Sequence, residues 1–376
     1  MRIVPTAASA LMLGTQLAHA GALDRTGQSV AALFENGRYM EFSFGSVSPS
    51  VTGVGTAAVG GGASGDMAPS YLQFGAAYKA DVNDTWSYAL IFEQPFGADV
   101  DYPAGTGYFA QGSTAEFKSS AITGVLQYNL PSNLSFYGGV RLQTIQAEAV
   151  IPFVRGYSAD GDRDFGVGYL AGVAYERPDI ALRVSLTYNS KIEHELDTVE
   201  NSAPPPLTPV SGGLGGPNQS TTPIDTPQSV NLEFQTGVAK DTLLFGSVRW
   251  VDWSEFDITP NDYQILTGGG SLVSYNGDIV TYTLGLGRRL NDTWSVAATV
   301  GYEEPIGGFT TNLGPTDGQT SLGLAASYSK GKMKITGGIR YVMIENTQTR
   351  AGAVAPAGIF NDNDVIGVGL RIGYYF

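Results

Sequence analysis

His194, set between Glu193 and Glu195, is the one imidazole outside the first 20 residues, the other being His19. A histidine beside acids and hydroxyls is the raw material of a general base, and a surface hydrolase would need that grouping. A lone histidine among solvated acids is more simply structural, so no catalytic residue is assigned. The chain has no Cys, which excludes disulfides and thiolate metal sites. Neither a metal nor a cofactor is expected. The remaining charge chemistry belongs to six arginines, Arg141, Arg183, Arg249, Arg289, Arg340 and Arg371, against Glu41 and Glu93. All of them lie inside stretches whose apolar residues fall at every second position.

That alternation is clearest at 365–376. Ile366, Val368, Leu370, Ile372, Tyr374 and Phe376 form one apolar face, while Gly367, Gly369, Arg371 and Gly373 form the other. A two-residue period means a strand. A small, polar face opposite the apolar one suits a wall with lipid on one side and a lumen on the other. The terminal aromatic Phe376 suits recognition by the barrel-assembly machinery. At the other end, Arg2, the apolar stretch around Ala7 to Leu13, and Ala18-His19-Ala20 read as a secretory leader over 1–20. No apolar run reaches the roughly 20 residues of a spanning helix, so an exported chain crosses a membrane only as a closed barrel. The formal net charge of −14 argues against nucleic acid as a partner.

Fourteen stretches alternate, near 38–48, 70–80, 85–95, 115–129, 134–149, 164–176, 180–198, 228–239, 243–257, 278–290, 293–303, 319–329, 333–346 and 364–376. Each meets the roughly 9–11 residues that a tilted strand needs to cross a bilayer. Short polar turns and long Gly- and Pro-rich stretches take turns between them, the asymmetry of periplasmic turns and external loops. The segment 199–227 is expected to be the longest external loop. The fold class is therefore all-β: a 14-stranded antiparallel transmembrane β-barrel in the outer membrane over 38–376. Outer-membrane lipid and lipopolysaccharide are its surroundings. A pore of that size leaks unless filled, and the non-alternating segment 21–37, with Leu23, Val30, Leu33 and Phe34, is expected to be a short N-terminal plug. Arg141, Arg249 and Arg340 fall about eight residues past a turn, near mid-height at roughly 3.3 Å per residue. Charges at that depth need partners. Either acids of the lumen and plug supply them, or one arginine meets a ligand carboxylate.

Several segments resemble the FadL family, outer-membrane transporters of long-chain fatty acids and related hydrocarbons. The match is best over 226–239 and 243–256, where Pro227, Ser229 and Asn231 precede a strand ending in Trp250, Asp252, Trp253, Ser254 and Phe256. Gly172 to Glu176, Tyr188 to His194, and Tyr302 to Pro305 add weaker similarity. The resemblance implies a plugged fourteen-stranded barrel. It also implies passive uptake of a hydrophobic small molecule, which leaves sideways where the third strand kinks. Pro95 removes a ladder donor and Gly97 permits a bend, so the expected ligand pathway runs over Leu33, Phe34, Phe92, Glu93, Pro95, Phe96 and Gly97. The family's Asn-Pro-Ala motif before the first strand is missing, which implies a shorter hatch. A general diffusion porin is the alternative function, followed by a structural or adhesive barrel and an outer-membrane hydrolase.

Overall fold

The computed structural model describes residues 23–204 and 214–376, and the leader assigned to 1–20 lies outside them. Fourteen antiparallel strands close into one ring. The first five are β1 (Tyr39–Ser50), β2 (Tyr71–Asp81), β3 (Trp86–Glu93, resuming as Gly97–Asp101), β4 (Thr114–Asn129) and β5 (Leu134–Ile151). Next come β6 (Tyr157–Arg177), β7 (Leu182–Asn189 and Ile192–Asn201), β8 (Asn218–Thr226 and Ser229–Ala239) and β9 (Thr242–Val251). The ring ends with β10 (Ile279–Arg289), β11 (Trp294–Glu303), β12 (Gln319–Lys330), β13 (Met333–Ile344) and β14 (Asn363–Tyr375). It closes by pairing β1 with β14 from Tyr39↔Tyr375 to Ser50↔Asp364. Among the described residues no helix is long and apolar enough to cross a membrane.

The turns form for local reasons. The repeated Asn-Asp-Thr-Trp-Ser segment folds the same way twice: Asn83 Oδ1 accepts from the Thr85 and Trp86 amides, and Asn291 Oδ1 from those of Thr293 and Trp294. Each copy delivers a tryptophan against a cross-strand tyrosine, with ring centroids 4.8 Å apart for Trp86–Tyr128 and 5.1 Å for Trp294–Tyr328. Such pairs at one rim are the aromatic girdle of an outer-membrane barrel.

Several strands extend past the sequence expectation on the long-loop side. The sixth begins at Tyr157 rather than 164, and the upper halves of β7 and β8 pair from Ile192↔Thr226 to Glu200↔Asn218. Residues 199–201 and 218–226 are therefore ladder, and the longest external connection is 252–278 instead. The ninth strand stops at Val251, and Trp253–Glu255 turn as a short 3₁₀ helix.

The reason for the extra height is a reversal in which face of the wall is apolar. Low in β5, Val140 and Leu142 point outward and Arg141 and Gln143 inward. Higher up, Ile145, Ala149 and Ile151 are buried inside while Glu148 is exposed. The same exchange occurs in β4 (Phe117 in, Glu116 and Lys118 out) and β7 (Leu196 in, Glu195 and Asp197 out). Below the exchange the wall is built for lipid outside; above it, for water outside and an apolar interior.

The ladder is interrupted on two sides. β2 pairs with β3 only over Ala76–Asp81, so Tyr71–Gly75 face no strand partner on that side among the described residues. β6 and β7 pair above and below, but not between, 162–169 and 190–197.

Candidate functional site

Glu93 ends the lower half of β3, and the chain then bends inward through Gln94, Pro95 and Phe96 before resuming along β4 one register step away. Pro95 cannot donate to a ladder. The Gln94 side chain substitutes for the missing strand partner, its Oε1 accepting from the Phe74 amide at 2.9 Å. The N-terminal segment fills the inner side of the bend. The Arg25 amide donates to the Pro95 carbonyl and the Gly97 amide to the Leu23 carbonyl, both at 2.8 Å. Gly97 leaves room for Arg25, because a Cβ there would lie 2.5 Å from the Arg25 guanidinium carbon and the side chain would have to shift. Phe96 is buried against Trp253 (5.8 Å, edge to face), and Trp253 packs on Phe256 and Tyr275. The Trp-Ser-x-Phe motif and the kink, far apart in sequence, thus form one cluster. Trp250 Nε1 and Ser254 Oγ both donate to Asp278, and Gln228 Nε2 donates to Asp252, which ties the same motif to its neighbours.

Residues 23–37 lie inside the ring and bond to many strands. Arg249 Nε donates to Asp24 at 2.6 Å, Ser29 Oγ to Glu233 at 2.7 Å, and Asn231 Nδ2 to the Gly27 carbonyl at 2.8 Å. Thr26 Oγ1 donates to Glu93, Arg25 pairs with Asp99, and Tyr375 OH donates to Glu35. Leu33 and Phe34 belong to a 3₁₀ turn packed with Ala89, Ile91 and Tyr137. The Arg183 guanidinium sits 4.6 Å over the Phe34 ring.

The three mid-height arginines all face inward and are buried. Arg141 pairs with Glu93 at 2.9 Å and bonds Thr123 and Asn189. Arg249 holds Asp24, Asn231 and Ser229. Arg340 donates to Ser321 at 2.8 Å. Acids of the lumen and of the N-terminal segment meet Arg141 and Arg249, as charges at this depth require. His194 is buried, its Nδ1 2.9 Å from Asp164 and its Nε2 3.2 Å from Gln143; no serine hydroxyl is among these ring partners.

Above the N-terminal segment lies an apolar chamber with a cavity volume of about 50 Å³, bounded by Leu23, Phe117, Ala149, Leu196, Ile224 and Leu272. Leu23 and Ala98 also line an adjoining cavity that reaches Tyr71, Gly97 and Val100 beside the β2–β3 interruption. A third cavity lies lower at the same seam, where inward Glu93 and Gln73 and outward Phe74 and Phe92 share one lining. Phe92 is therefore on the lipid side of the wall, and Leu33 and Phe34 sit beneath these three cavities rather than on them. Sequence reading placed Leu23 in the plug but not on the ligand pathway and missed the chamber walls, although the change of phase of the apolar positions in β4 and β5 is their signature.

A comparison with curated proteins finds no match. Among solved structures, a Pseudomonas aeruginosa FadL homologue aligns with a TM-score of 0.71 at 14% identity, covering 96% of each chain. The Pseudomonas putida toluene transporter TodX aligns at 0.64 and 13%, covering 94% of this chain and 96% of its own. The Ralstonia pickettii toluene transporter TbuX aligns at 0.61 and 13%, covering 94% and 95%. These likenesses carry the fold. The family model for outer membrane protein transport proteins (OMPP1/FadL/TodX) matches residues 36–351, and the chain belongs to that outer-membrane transport family.

Proposed function

We propose that the protein is a channel for passive uptake of hydrophobic compounds, held first in the upper chamber and released sideways between β2 and β3. The observation that carries this reading is the run of adjoining cavities from an apolar chamber, past Leu23, to a stretch of wall with no strand pairing. Avoiding water along such a path is worth about 25 cal/mol per Å² of apolar surface. Residues 23–37 act as the plug that keeps ions out. The chamber's lining is mostly apolar, with the hydroxyls of Thr198 and Thr222 and the acids Glu116 and Glu148 among it, and no cation is among its lining residues. Arg25, beside the next cavity, is engaged by Asp99. An uncharged hydrocarbon therefore suits the path better than a fatty-acid carboxylate. That two of the structural relatives are toluene transporters agrees with this choice.

The test replaces Pro95 with Val and Gly97 with Ala, which restores a ladder donor and displaces Arg25. Cells carrying the double variant should lose most uptake of radiolabelled toluene, while the purified protein still binds it. In the unaltered protein, labelled toluene should enter faster than labelled palmitate. Unchanged uptake in a variant whose β2–β3 ladder is shown to be closed would remove the lateral route.

A further inference from the structure

The second interruption, between β6 and β7, has a sequence-encoded cause. The β5–β6 ladder shifts register between Ile145 and Ala147, opposite Asp162 and Arg163, which both lie exposed on the outer face. On β7, Ser190 and Lys191 together separate the inward Asn189 from the inward Ile192. Each displacement is a bulge, which unpairs a ladder locally. The two cancel, so Thr198↔Gly161 above continues the register of Asn189↔Leu170 below. Between them an inward residue of one strand opposes an outward residue of the other, and backbone pairing is reduced to the Ser190 amide donating to the Tyr169 carbonyl at the lower edge.

Side chains close this seam in place of a ladder. Gly166 and Gly168 leave room for them: a Cβ on Gly166 would lie 2.4 Å from Ile192 and 2.7 Å from the His194 ring, and one on Gly168 would lie 2.6 Å from Ile192. Asp164 reaches across, with Oδ2 2.9 Å from His194 Nδ1 and accepting from the Glu195 amide at 3.3 Å. His194 Nε2 lies against Gln143 Oε1, which also accepts from Thr226 Oγ1 at 2.7 Å. One polar string therefore ties β5, β6, β7 and β8 across the seam.

The two sides of the seam face different media. Inside, Gly161 and Leu196, on its opposite lips, both line the upper chamber. Outside, the β6 lip presents Phe165, Val167 and Tyr169, each more than half exposed, and the β7 lip presents Lys191, Glu193 and Glu195. The reversal of the apolar face places this stretch where the lipid-facing belt gives way to charge, at the level of the outer leaflet's headgroups. Unpaired backbone at that depth needs substitutes for its ladder, and these substitutes are a few side-chain contacts.

We propose that the β6–β7 seam is a second side port, latched by Asp164 and His194, through which uncharged hydrophobic molecules dissolved in the outer leaflet reach the upper chamber. The proposal rests on the reading of that chamber as the place where cargo is held. It adds an entrance from the membrane to a path whose other opening lies at β2–β3.

The absence of cysteine from the sequence makes a single-thiol experiment clean. Leu196→Cys, in the full barrel reconstituted into lipid vesicles, would be labelled with N-dodecylmaleimide, which resides in the bilayer, or with a sulfonated maleimide, which does not. Adding Asp164→Ala should accelerate labelling by the bilayer reagent about tenfold or more, as loss of a charge-assisted hydrogen bond implies. Labelling by the soluble reagent should stay within about twofold of its original rate, a factor well below that of such a bond. His194→Gln, which keeps a polar side chain, is the second variant and carries the test if Asp164→Ala does not assemble. No acceleration in a heat-modifiable, folded variant would overturn the port, and so would equal acceleration of both reagents. Toluene is the third arm. If it fails to protect the introduced thiol while the latch variants still accelerate labelling, the port stands and the chamber reading falls.

Discussion

Arg249→Leu should undock residues 23–37, the proposed plug, without unfolding the barrel. Arg249 and Asp24 form a buried pair, with side chains only 6% and 7% exposed, and Arg249 also donates to Gln28 of the same segment. Removing one partner of a buried pair strands the other charge at a cost of about 3–5 kcal/mol. The strand ladders do not pass through this pair, so the cost falls on docking of residues 23–37. At 1.4 kcal/mol per tenfold, the undocked population should rise by roughly one hundred- to a few thousand-fold. In planar bilayers this should appear as frequent or sustained ion-conducting openings in a protein otherwise nearly silent. Changing Asp24 to Leu as well replaces the stranded charge with apolar contact, which is often neutral relative to the original pair, and should return conductance towards the starting level. Silent Arg249→Leu channels in folded barrels would show that the segment does not occlude the lumen, or that the other contacts hold it alone. Equal conductance in single and double variants would refute the charge-stranding argument itself.

Two further outcomes follow from the fold and the chamber. Ala149→Phe, placed on the chamber wall, should abolish high-affinity binding of toluene while leaving assembly intact, because an added ring fills space that the cargo needs; binding by calorimetry checks this. Protease added to intact cells should cut within 252–278, and the turns at Asn83-Asp84 and Asn291-Asp292 should stay whole until the periplasm is opened.

Alternation made most of the barrel legible, because a wall between lipid and lumen imposes a two-residue period on every strand. The inward placement of Glu41, Glu93, Arg141, Arg249 and Arg340 follows from that period alone. What it could not supply were the tops of the strands. Residues 199–201 and 218–226, which read as loop, are ladder, with Thr222 and Ile224 on the chamber wall. Pro95 and Gly97 announced a break, but its inner partners, Leu23 and Arg25, make their contacts through backbone amides and carbonyls that leave no sequence pattern. The β6–β7 seam was hidden for another reason. Each of its bulges falls where the apolar side of the strand changes from outside to inside, so each strand retains an acceptable alternation when read separately.

The reversal of the apolar face along β4, β5 and β7 divides the same strands into stretches answerable to different demands. A change at Leu142 alters how the wall sits in lipid and is never felt by cargo. A change at Ala149 alters what the chamber accepts and is never felt by lipid. If the chamber holds cargo as proposed, cargo preference and membrane anchoring are written in separate segments of one strand, and selection can retune the first through small inward residues such as Ala115, Ala147 and Ala159 while the second stays fixed.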